Sequence, residues 1–432
     1  MEGDELKIAI LTMFNGLSNT YSLVNVVREQ LHMLLDHGIS VKMLVSESCP
    51  EEERRDVFLD ERVEWVKIIN KEQETTFRWV TYTKSEDKIE EGFYHQAGLI
   101  AADFVKQLQD VDVCILHDIL YQGVHLVHNV ALREAQKQLP RVRFLAFTHS
   151  APAISIEASY PISCMYTEMP NTTFVYPTRS GLEAIAKQYH TQVSRCACVN
   201  NSVDVLTGMH EETVHLSQYC DFCKSELLMV YPGRLNMAKR FHVVAEFAGY
   251  LKKYGGKTVT IIFCDFPSGD ISPEMYKFLI KDVGEKNGLE KEEIIFTSDC
   301  GFPQGVKRET VLDLFSLSNL FICPSYSESF GLTVMEAASK GNYMVLNEAV
   351  PALEEVGKSI HAYFMRWSAK NFGYDTYETY QPTKRVYYIE HVQNILRNME
   401  CDPAIYAKTV ARMRYSNEWI YEHQLKPLLF PN

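Results

Sequence analysis

Short apolar runs alternate with amphipathic segments along most of the chain. Residues 7–14, KIAILTMF, form an apolar run, and residues 22–35 then carry apolar side chains at helical spacing. Gly38 ends that segment, and VKMLV at 41–45 resumes an apolar run. This order predicts a strand, a helix and a second strand, and it recurs along the chain. Strands that alternate with helices predict parallel sheets covered on both faces.

The alternation lapses once, in a polar stretch near the middle of the chain. Residues 207–226 contain few apolar runs, and ELLMVYPGR at 226–234 starts a second series of strands and helices. A chain of 432 residues also exceeds what one hydrophobic core usually organises. We therefore predict an α/β protein of two Rossmann-like, doubly wound domains, at 1–205 and 206–400, with a C-terminal segment at 401–432. Such sheets bind ligands at the carboxyl ends of their strands, so the two domains are expected to face each other across a cleft.

Composition and charge argue against some classes of function. The chain is 46% hydrophobic and 23% charged, which is typical of a folded protein. Its net charge is −13, and residues 1–205 hold 19 Lys and Arg against 28 Asp and Glu. This excess opposes nonspecific attraction to DNA or anionic lipid. We expect weak or no membrane association and disfavour a nucleic acid partner, although a local basic groove would still permit one.

The first residues and the cysteines indicate a cytoplasmic protein. MEGDELKIAILTMFNG has acidic residues where a secretory signal needs basic ones, and no window approaches the ~20 apolar residues that span a bilayer. Eleven scattered cysteines are an odd number and favour reduced thiols. Cys220 and Cys223 form a CxxC, which we interpret as two structural thiols because further zinc ligands are only loosely placed. Asp110 and Asp112 directly precede an apolar strand, so we predict no metal there.

PSYSESFGLTVMEA at 324–337 places two glutamates around a predicted helix start. Residues 332–339 are good helix formers, Gly331 permits close approach of the backbone to a ligand, and Ser327 or Ser329 can cap the helix. The free amides of a first helical turn suit a diphosphate.

Glu336, one turn into this helix, can accept hydrogen bonds from a ribose diol. Glu328, ahead of the amides, can reach hydroxyls beyond the phosphates. For an isolated pair of glutamates at this spacing, two ordinary surface carboxylates would be the better interpretation.

The residues around the two glutamates favour a binding role over ordinary surface carboxylates. PSYSESFGLTVMEAASKG resembles the donor-binding signature of GT-B glycosyltransferases, in particular retaining glycosyltransferase family 4, the glycosyl transferases group 1. YPGRLNMAKRF at 231–241 is similar to the Gly-Arg…Lys segment of the same family. Weaker likenesses at VDVCILHD, FLAFTHS and VNNSVD extend the resemblance over most of the chain.

The resemblance implies a role for each matched residue. The domain at 1–205 would bind the acceptor, the domain at 206–400 the nucleotide-sugar donor, and 401–432 would form a helix crossing back to the first domain. The implied catalytic residues are Glu328 on the sugar, Arg234 and Lys239 on the leaving diphosphate, and His149 donating to the sugar or phosphate. The implied donor-binding residues are Gly16, Ser329, Phe330, Gly331, Leu332 and Glu336.

We therefore expect a retaining glycosyltransferase that moves a hexose or pentose from a nucleoside-diphosphate sugar and needs no metal or other cofactor. A glycan or a lipid-linked sugar is the favoured acceptor, and a modified base of viral DNA is a further option.

Two alternative functions stay open. A sugar-nucleotide epimerase or hydrolase of the same architecture would turn over the donor without an acceptor, and a noncatalytic binding protein would only bind it. The sequence leaves the donor base and sugar, the acceptor and the oligomeric state undetermined.

Some positions depart from the family pattern. The loop FNGLSN has one glycine, Gly16, where the family often has two, so the backbone is expected to approach the phosphates less closely. Arg240 replaces a common glycine after Lys239. The resemblance therefore does not specify which nucleotide-sugar is the donor.

Overall fold

The computed structural model describes residues 6–72, 75–76, 80–153, 157–371, 374–376 and 384–431. The chain divides into two compact units. The first comprises Met1–Val203 and Asn417–Asn432, and the second comprises Asp204–Ser416. Each is described by itself below.

The first unit contains a parallel sheet of seven strands in the order β3-β2-β1-β6-β7-β8-β9, together with a separate antiparallel pair, β4 and β5. Its strands are β1 (Ile8–Leu11), β2 (Val41–Ser46), β3 (Val63–Ile68), β4 (Lys71–Glu72), β5 (Thr75–Thr76), β6 (Val113–His117), β7 (Arg143–Phe147), β8 (Thr172–Tyr176) and β9 (Cys196–Cys198). The helices between them are α1 (Ser22–Asp36), α2 (Phe93–Leu108), α3 (Leu126–Gln136) and α4 (Leu182–Gln188).

Both faces of this sheet are covered. Ile8 and Ile10 of β1 lie in one buried apolar cluster with side chains of α1, whereas Ala9 and Leu11 lie in another with side chains of α2. Successive residues of a strand point to opposite faces, so the apolar run at the start of the chain contributes to both clusters.

The second unit repeats this architecture. Its parallel sheet has six strands in the order β12-β11-β10-β13-β14-β15, and β16 and β17 form a separate antiparallel pair. Its strands are β10 (Leu227–Arg234), β11 (Val259–Phe266), β12 (Ile294–Phe296), β13 (Leu320–Cys323), β14 (Tyr343–Asn347), β15 (Tyr363–Met365), β16 (Ala369–Asn371) and β17 (Tyr374–Thr376). Its helices are α5 (Glu211–Leu216), α6 (Phe241–Gly255), α7 (Pro273–Asn287), α8 (Arg308–Leu317), α9 (Leu332–Ser339), α10 (Pro351–Ser359), α11 (Lys384–Cys401) and α12 (Pro403–Arg414).

The last residues of the chain return to the first unit. They form α13 (Asn417–Ile420), a π-helical turn at Tyr421–Leu425 and α14 (Lys426–Leu429). Arg143 of β7 donates to the carbonyl oxygens of Leu428 and Leu429 at 2.9 and 2.6 Å, which attaches this segment to the sheet.

The predicted fold class of two Rossmann-like, doubly wound α/β domains is confirmed by the two parallel sheets. The polar stretch at 207–226, where the alternation lapses, contains the short helix α5. The ring of His210 caps this helix by accepting a hydrogen bond from the amide of Glu212 at 3.2 Å. No helix within the described residues has the length and apolar character needed to cross a bilayer.

Candidate active site

Each sheet has a point where the strand order reverses, and ligands bind outside the carboxyl ends of the strands at such points. In the second unit the reversal lies between β10 and β13, and in the first unit it lies between β1 and β6. The candidate residues follow the ends of these strands. Arg234 ends β10, the segment from Pro324 follows β13, Gly16 follows β1, and His149 follows β7, which neighbours β6.

At the end of β10 the chain turns through a short 3-10 helix, Met237–Lys239, that positions a lysine over the strand. The side chain of Asn236 caps this turn by accepting from the amide of Ala238 at 2.7 Å. A Cβ placed on Gly233 would lie 4.0 Å from Cγ of Lys239, so the lysine stem passes close to this strand end. Arg234 is exposed beside it and forms no ion pair with the described residues.

The loop after β13 is tied to this turn by three hydrogen bonds. Tyr231 of β10 donates its phenol proton to the carbonyl of Lys239 at 2.7 Å, and its oxygen lies 3.1 Å from the hydroxyl of Ser325. The amide of Tyr326 donates to the carbonyl of Ala238 at 2.8 Å. Burial raises the pKa of Tyr231 well above its ordinary value, so the phenol keeps the proton that it donates.

This arrangement brings together two of the predicted catalytic residues. The ammonium group of Lys239 donates to a carboxylate oxygen of Glu328 in a short ion pair, although 89 positions separate the two residues. The side chain of Glu328 is only 14% exposed, and that of Lys239 is 31% exposed. The pair therefore forms a partly desolvated charge cluster at the switch point of the second sheet.

Arg240 adopts a left-handed backbone conformation, with φ 56° and ψ 45°. This conformation is costly for any residue except glycine, which gives a physical reason for the glycine of the family pattern at this position. The guanidinium donates to the carbonyl of Ser368 at 2.6 Å and to that of Pro324 at 3.4 Å, and it lies 4.9 Å from the ring of Tyr326. Arg240 therefore anchors the loop that carries Glu328.

Helix α9 begins at Leu332, as predicted, but the expected serine cap is wrong. Gly331 occupies the N-cap position with φ 82°, and no side chain caps the helix. A Cβ at Gly331 would lie 3.0 Å from Val334 and 3.2 Å from Leu353, so a larger residue would also force these side chains to shift. Ser329, Phe330 and Leu332 are exposed around this helix start.

Glu336 is paired with a residue that the sequence did not single out. Its carboxylate accepts from Nε of Arg308 on α8 at 2.8 Å, and its side chain is 11% exposed whereas that of Arg308 is 67% exposed. Arg308 fixes the direction of the carboxylate. The sequence around Arg308 offers no local signal for this pairing, because it depends on the packing of α8 against α9.

Gly16 lies against a carboxylate in the first unit. Oε2 of Glu53 accepts from the amide of Leu17 at 2.5 Å, and a Cβ on Gly16 would lie 2.9 Å from the same oxygen. The loop was predicted to approach the donor, and in the structure one of its backbone amides, that of Leu17, already donates to the carboxylate of Glu53.

His149 belongs to a buried polar cluster of the first unit. Its backbone amide donates to Oδ1 of Asp118 at 2.9 Å, and its Nε2 lies 2.8 Å from Nδ1 of His117. Burial lowers the pKa of His149 to about 4 and raises the pKa of Asp118. The ring of His149 is therefore neutral near pH 7.

Possible metal ligands lie elsewhere. Among the described residues, one group of histidine and carboxylate side chains is close enough to hold an ion: His37, Glu418 and Glu422, all in the first unit. Nε2 of His37 lies 3.2 Å from Glu418, and both carboxylate oxygens of Glu422 accept from Lys426 at 2.7 and 2.8 Å. Contacts within the protein account for this group.

The other motifs also have structural explanations. Asp110 pairs with Lys42 at 2.9 Å, and Asp112 accepts from the backbone amide of Lys7 at 2.9 Å. Cys220 and Cys223 are free thiols, and burial raises the pKa of both, to about 12 and about 11.

The two units are doubly wound sheets, and the second joins a basic and an acidic side chain at its switch point, where sheets of this kind bind ligands. Residues 221–364 match the family model described as glycosyl transferases group 1. The predicted recognition is thereby confirmed over these residues, which include Arg234, Lys239, Glu328 and Glu336, and the match supports the predicted glycosyltransferase activity.

Comparison with solved structures gives similarities that span both chains at low identity. A glycosyltransferase from Rickettsia africae ESF-5 is 14% identical, with 99% of this chain and 100% of that chain covered and a TM-score of 0.37. Anabaena HepE in complex with UDP is 13% identical, with 98% and 99% covered and a TM-score of 0.35. Sucrose-phosphate synthase from Thermosynechococcus elongatus is 12% identical, with 98% and 96% covered and a TM-score of 0.34. No curated protein matches the sequence.

Proposed function

We propose that the chain transfers a sugar from a nucleoside-diphosphate sugar to an acceptor, with retention of configuration at the anomeric carbon and without a metal ion. The observation that carries this proposal is the ion pair between Lys239 and Glu328 at the switch point of the second sheet, inside the segment that matches the glycosyl transferases group 1.

Charge complementarity supports the roles of the basic residues. Lys239 and Arg234 lie at the end of β10 and would neutralise the charge that develops on the departing diphosphate. In the structure the ammonium of Lys239 is held by Glu328. A bound donor would place its diphosphate against this ammonium and its sugar hydroxyls against the carboxylate of Glu328, so each member of the pair gains a substrate partner.

The start of α9 supports a binding role for the neighbouring residues. The first amides of a helix have no intrahelical acceptor and suit phosphate oxygens. We assign the amides from Ser329 to Leu332 to the sugar and phosphate oxygens, with Gly331 giving the close backbone approach. Glu336 accepts from the ribose hydroxyls, and Arg308 keeps its carboxylate in place.

In the first unit we assign His149 to substrate contact and Gly16 to the loop that approaches the donor. The acidic balance of residues 1–205 favours a neutral acceptor, such as a glycan or a lipid-linked sugar, over nucleic acid. With no nucleophilic carboxylate assigned, we propose that the leaving phosphate acts as the base and that attack occurs on the face from which it departs.

The test is turnover of UDP-, GDP-, ADP- and dTDP-sugars by the purified chain, with EDTA or with Mg²⁺, in the presence and absence of a panel of glycan and lipid-linked acceptors. We expect transfer from one donor in EDTA, with the anomeric configuration of the product, read by NMR, equal to that of the donor. Inversion would overturn the retaining mechanism, and activity only with Mg²⁺ would overturn metal independence.

Variants distinguish this function from its alternatives. Arg234→Ala and Lys239→Ala should each lower kcat by at least about 100-fold, because the removed charges act on the leaving group. Lys286→Ala is the matched control, since that lysine is 72% exposed and, among the described residues, pairs only with Asp282 on its own helix. Donor turnover that is independent of any acceptor would indicate an epimerase or hydrolase, and donor binding without turnover would indicate a binding protein.

A further inference from the structure

A chain of hydrogen-bonded side chains in the first unit ends at His149. Gln30 of α1 lies with its amide oxygen 3.0 Å from Nε2 of His117, and Nδ1 of His117 lies 2.8 Å from Nε2 of His149. Gln30 is 4% exposed and His117 is fully buried, so water does not compete for these bonds. The two imidazole rings stack with their centroids 5.1 Å apart.

The chemistry of these groups sets the direction of each hydrogen bond. An amide oxygen only accepts, so Nε2 of His117 carries the proton that lies between it and Gln30. A neutral imidazole carries one ring proton, so Nδ1 of His117 is an acceptor and Nε2 of His149 is the donor to it. The remaining nitrogen of His149, Nδ1, therefore bears a lone pair.

Both rings are neutral near pH 7. Burial lowers the pKa of His117 well below its ordinary value, and the neighbouring His149 lowers it further. Burial also lowers the pKa of His149 to about 4. A doubly protonated His117 would reverse its hydrogen bond with His149, and a doubly protonated His149 would have no lone pair on Nδ1. Burial disfavours both states.

The lone pair of His149 is left without a partner. Nδ1 of His149 is buried and forms no hydrogen bond within the described part of the chain. An unsatisfied buried acceptor costs about 1–3 kcal/mol, which is uncommon in native proteins outside functional sites. The rest of the residue is held firmly, since its backbone amide donates to Asp118 at 2.9 Å.

We propose that Gln30 and His117 hold His149 in the tautomer protonated on Nε2, so that Nδ1 accepts a hydrogen bond from a substrate hydroxyl. The inference rests on the proposed function, because that hydroxyl belongs to the sugar or to the acceptor. It makes His149 an acceptor toward the substrate, whereas the family resemblance implied a donor. Gln30 and His117 are positioning residues, since they act through His149.

The tautomer can be read directly by long-range ¹H–¹⁵N NMR of the full chain labelled at histidine, with His149 assigned from a His149→Gln variant. We expect a pyrrole-like Nε2 and a pyridine-like Nδ1 in the wild type, and a mixture of tautomers in Gln30→Leu. His125 and His128, a second pair of neighbouring histidines in the same unit whose Nδ1 atoms lie 3.4 Å apart, are the internal control. Gln188→Leu removes another buried glutamine of this unit and should leave the His149 signals in place.

Kinetics complete the test. With the donor identified by turnover, Gln30→Leu should lower kcat/KM about 10-fold, while affinity for the free nucleoside diphosphate stays unchanged. A His149 protonated on Nδ1 in the wild type would overturn the proposal whatever the activity. Unchanged kcat/KM in Gln30→Leu, despite a shifted tautomer, would also overturn it. The expected tautomer in a chain that turns over no donor would overturn the proposed function, with the hydrogen-bonded chain retained as a structural feature.

Discussion

Replacing Arg240 by glycine and by alanine separates the backbone strain at this position from the side-chain contacts. Both substitutions remove the hydrogen bonds to Ser368 and Pro324 and the contact with Tyr326. Only glycine relieves the left-handed backbone, where φ is 56°. The difference between the two variants therefore measures the strain that glycine relieves, reduced by the greater conformational entropy of glycine in the unfolded chain.

The magnitudes follow from the geometry. A charged hydrogen bond at 2.6 Å to a carbonyl is worth about 1.5–3 kcal/mol, and a guanidinium 4.9 Å from a ring adds about 0.5–1 kcal/mol. Arg240→Ala should cost about 3 kcal/mol. The left-handed conformation costs a non-glycine residue about 1–2 kcal/mol, and glycine costs about 0.4–1 kcal/mol through the unfolded chain. Arg240→Gly should therefore be about 1 kcal/mol more stable than Arg240→Ala.

Urea unfolding of the full chain, followed by tryptophan fluorescence and circular dichroism, measures the difference. We expect the wild type to be the most stable, the glycine variant the next and the alanine variant the least stable. An alanine variant as stable as the glycine variant would refute it, because an ordinary backbone position favours alanine over glycine. Donor affinity should fall in both variants, since both release the loop that carries Glu328.

Three further predictions concern other contacts. A double-mutant cycle of Lys239→Met and Glu328→Gln in urea unfolding should give a coupling energy of about 1–2 kcal/mol, because the pair is partly buried and such values lie between those of exposed and buried ion pairs. A coupling energy below ~0.3 kcal/mol would contradict the observed ion pair. Gly16→Ala should cost about 1 kcal/mol, because its Cβ would lie 2.9 Å from the Glu53 carboxylate and would displace that carboxylate from the amide of Leu17. Most of that cost should vanish when Glu53 is alanine, and a persistent cost would assign it to another contact. Burial lowers the pKa of His125 and of His149 from 6.5 to about 4, so the unfolded chain binds more protons between these values and stability falls as the pH falls through this range. Each of these two histidines should lower the free energy of unfolding by about 2 kcal/mol at pH 5 relative to pH 7.5. A His149→Gln variant should lose the part of this pH dependence that His149 contributes.

The sequence predicted the elements with strong periodicity or clear end signals. The helix predicted at 332–339 agrees with α9, Leu332–Ser339, and the sequence around α7, Pro273–Asn287, contains equally clear end signals. α7 has Ser272 as its cap, a proline at its first turn and Gly288 at its end, so local chemistry defines both limits. Helix α5 lacked such periodicity and was missed, because six residues are too few to show a repeat.

The residues proposed for the site were predicted through motifs, whereas their partners were not. Lys239 and Glu328 lie in segments that resemble family signatures, and sheet topology then brings the two strand ends together. Arg308, Glu53 and Gln30 lie outside those segments. Their contacts depend on helix packing and loop conformation between residues distant in sequence, which hydrophobic patterns do not encode.

We propose that the end of β10 and the start of α9 bind a nucleoside diphosphate, with Lys239 as its charge partner. The decisive experiment is calorimetric titration of UDP, GDP, ADP and dTDP into the metal-free chain, with Lys239→Ala compared against Lys286→Ala. We expect one nucleotide to bind, Lys239→Ala to weaken this binding at least about 10-fold, and Lys286→Ala to leave it unchanged. If none of the four nucleotides binds, or if both variants bind equally well, the proposed binding site is wrong.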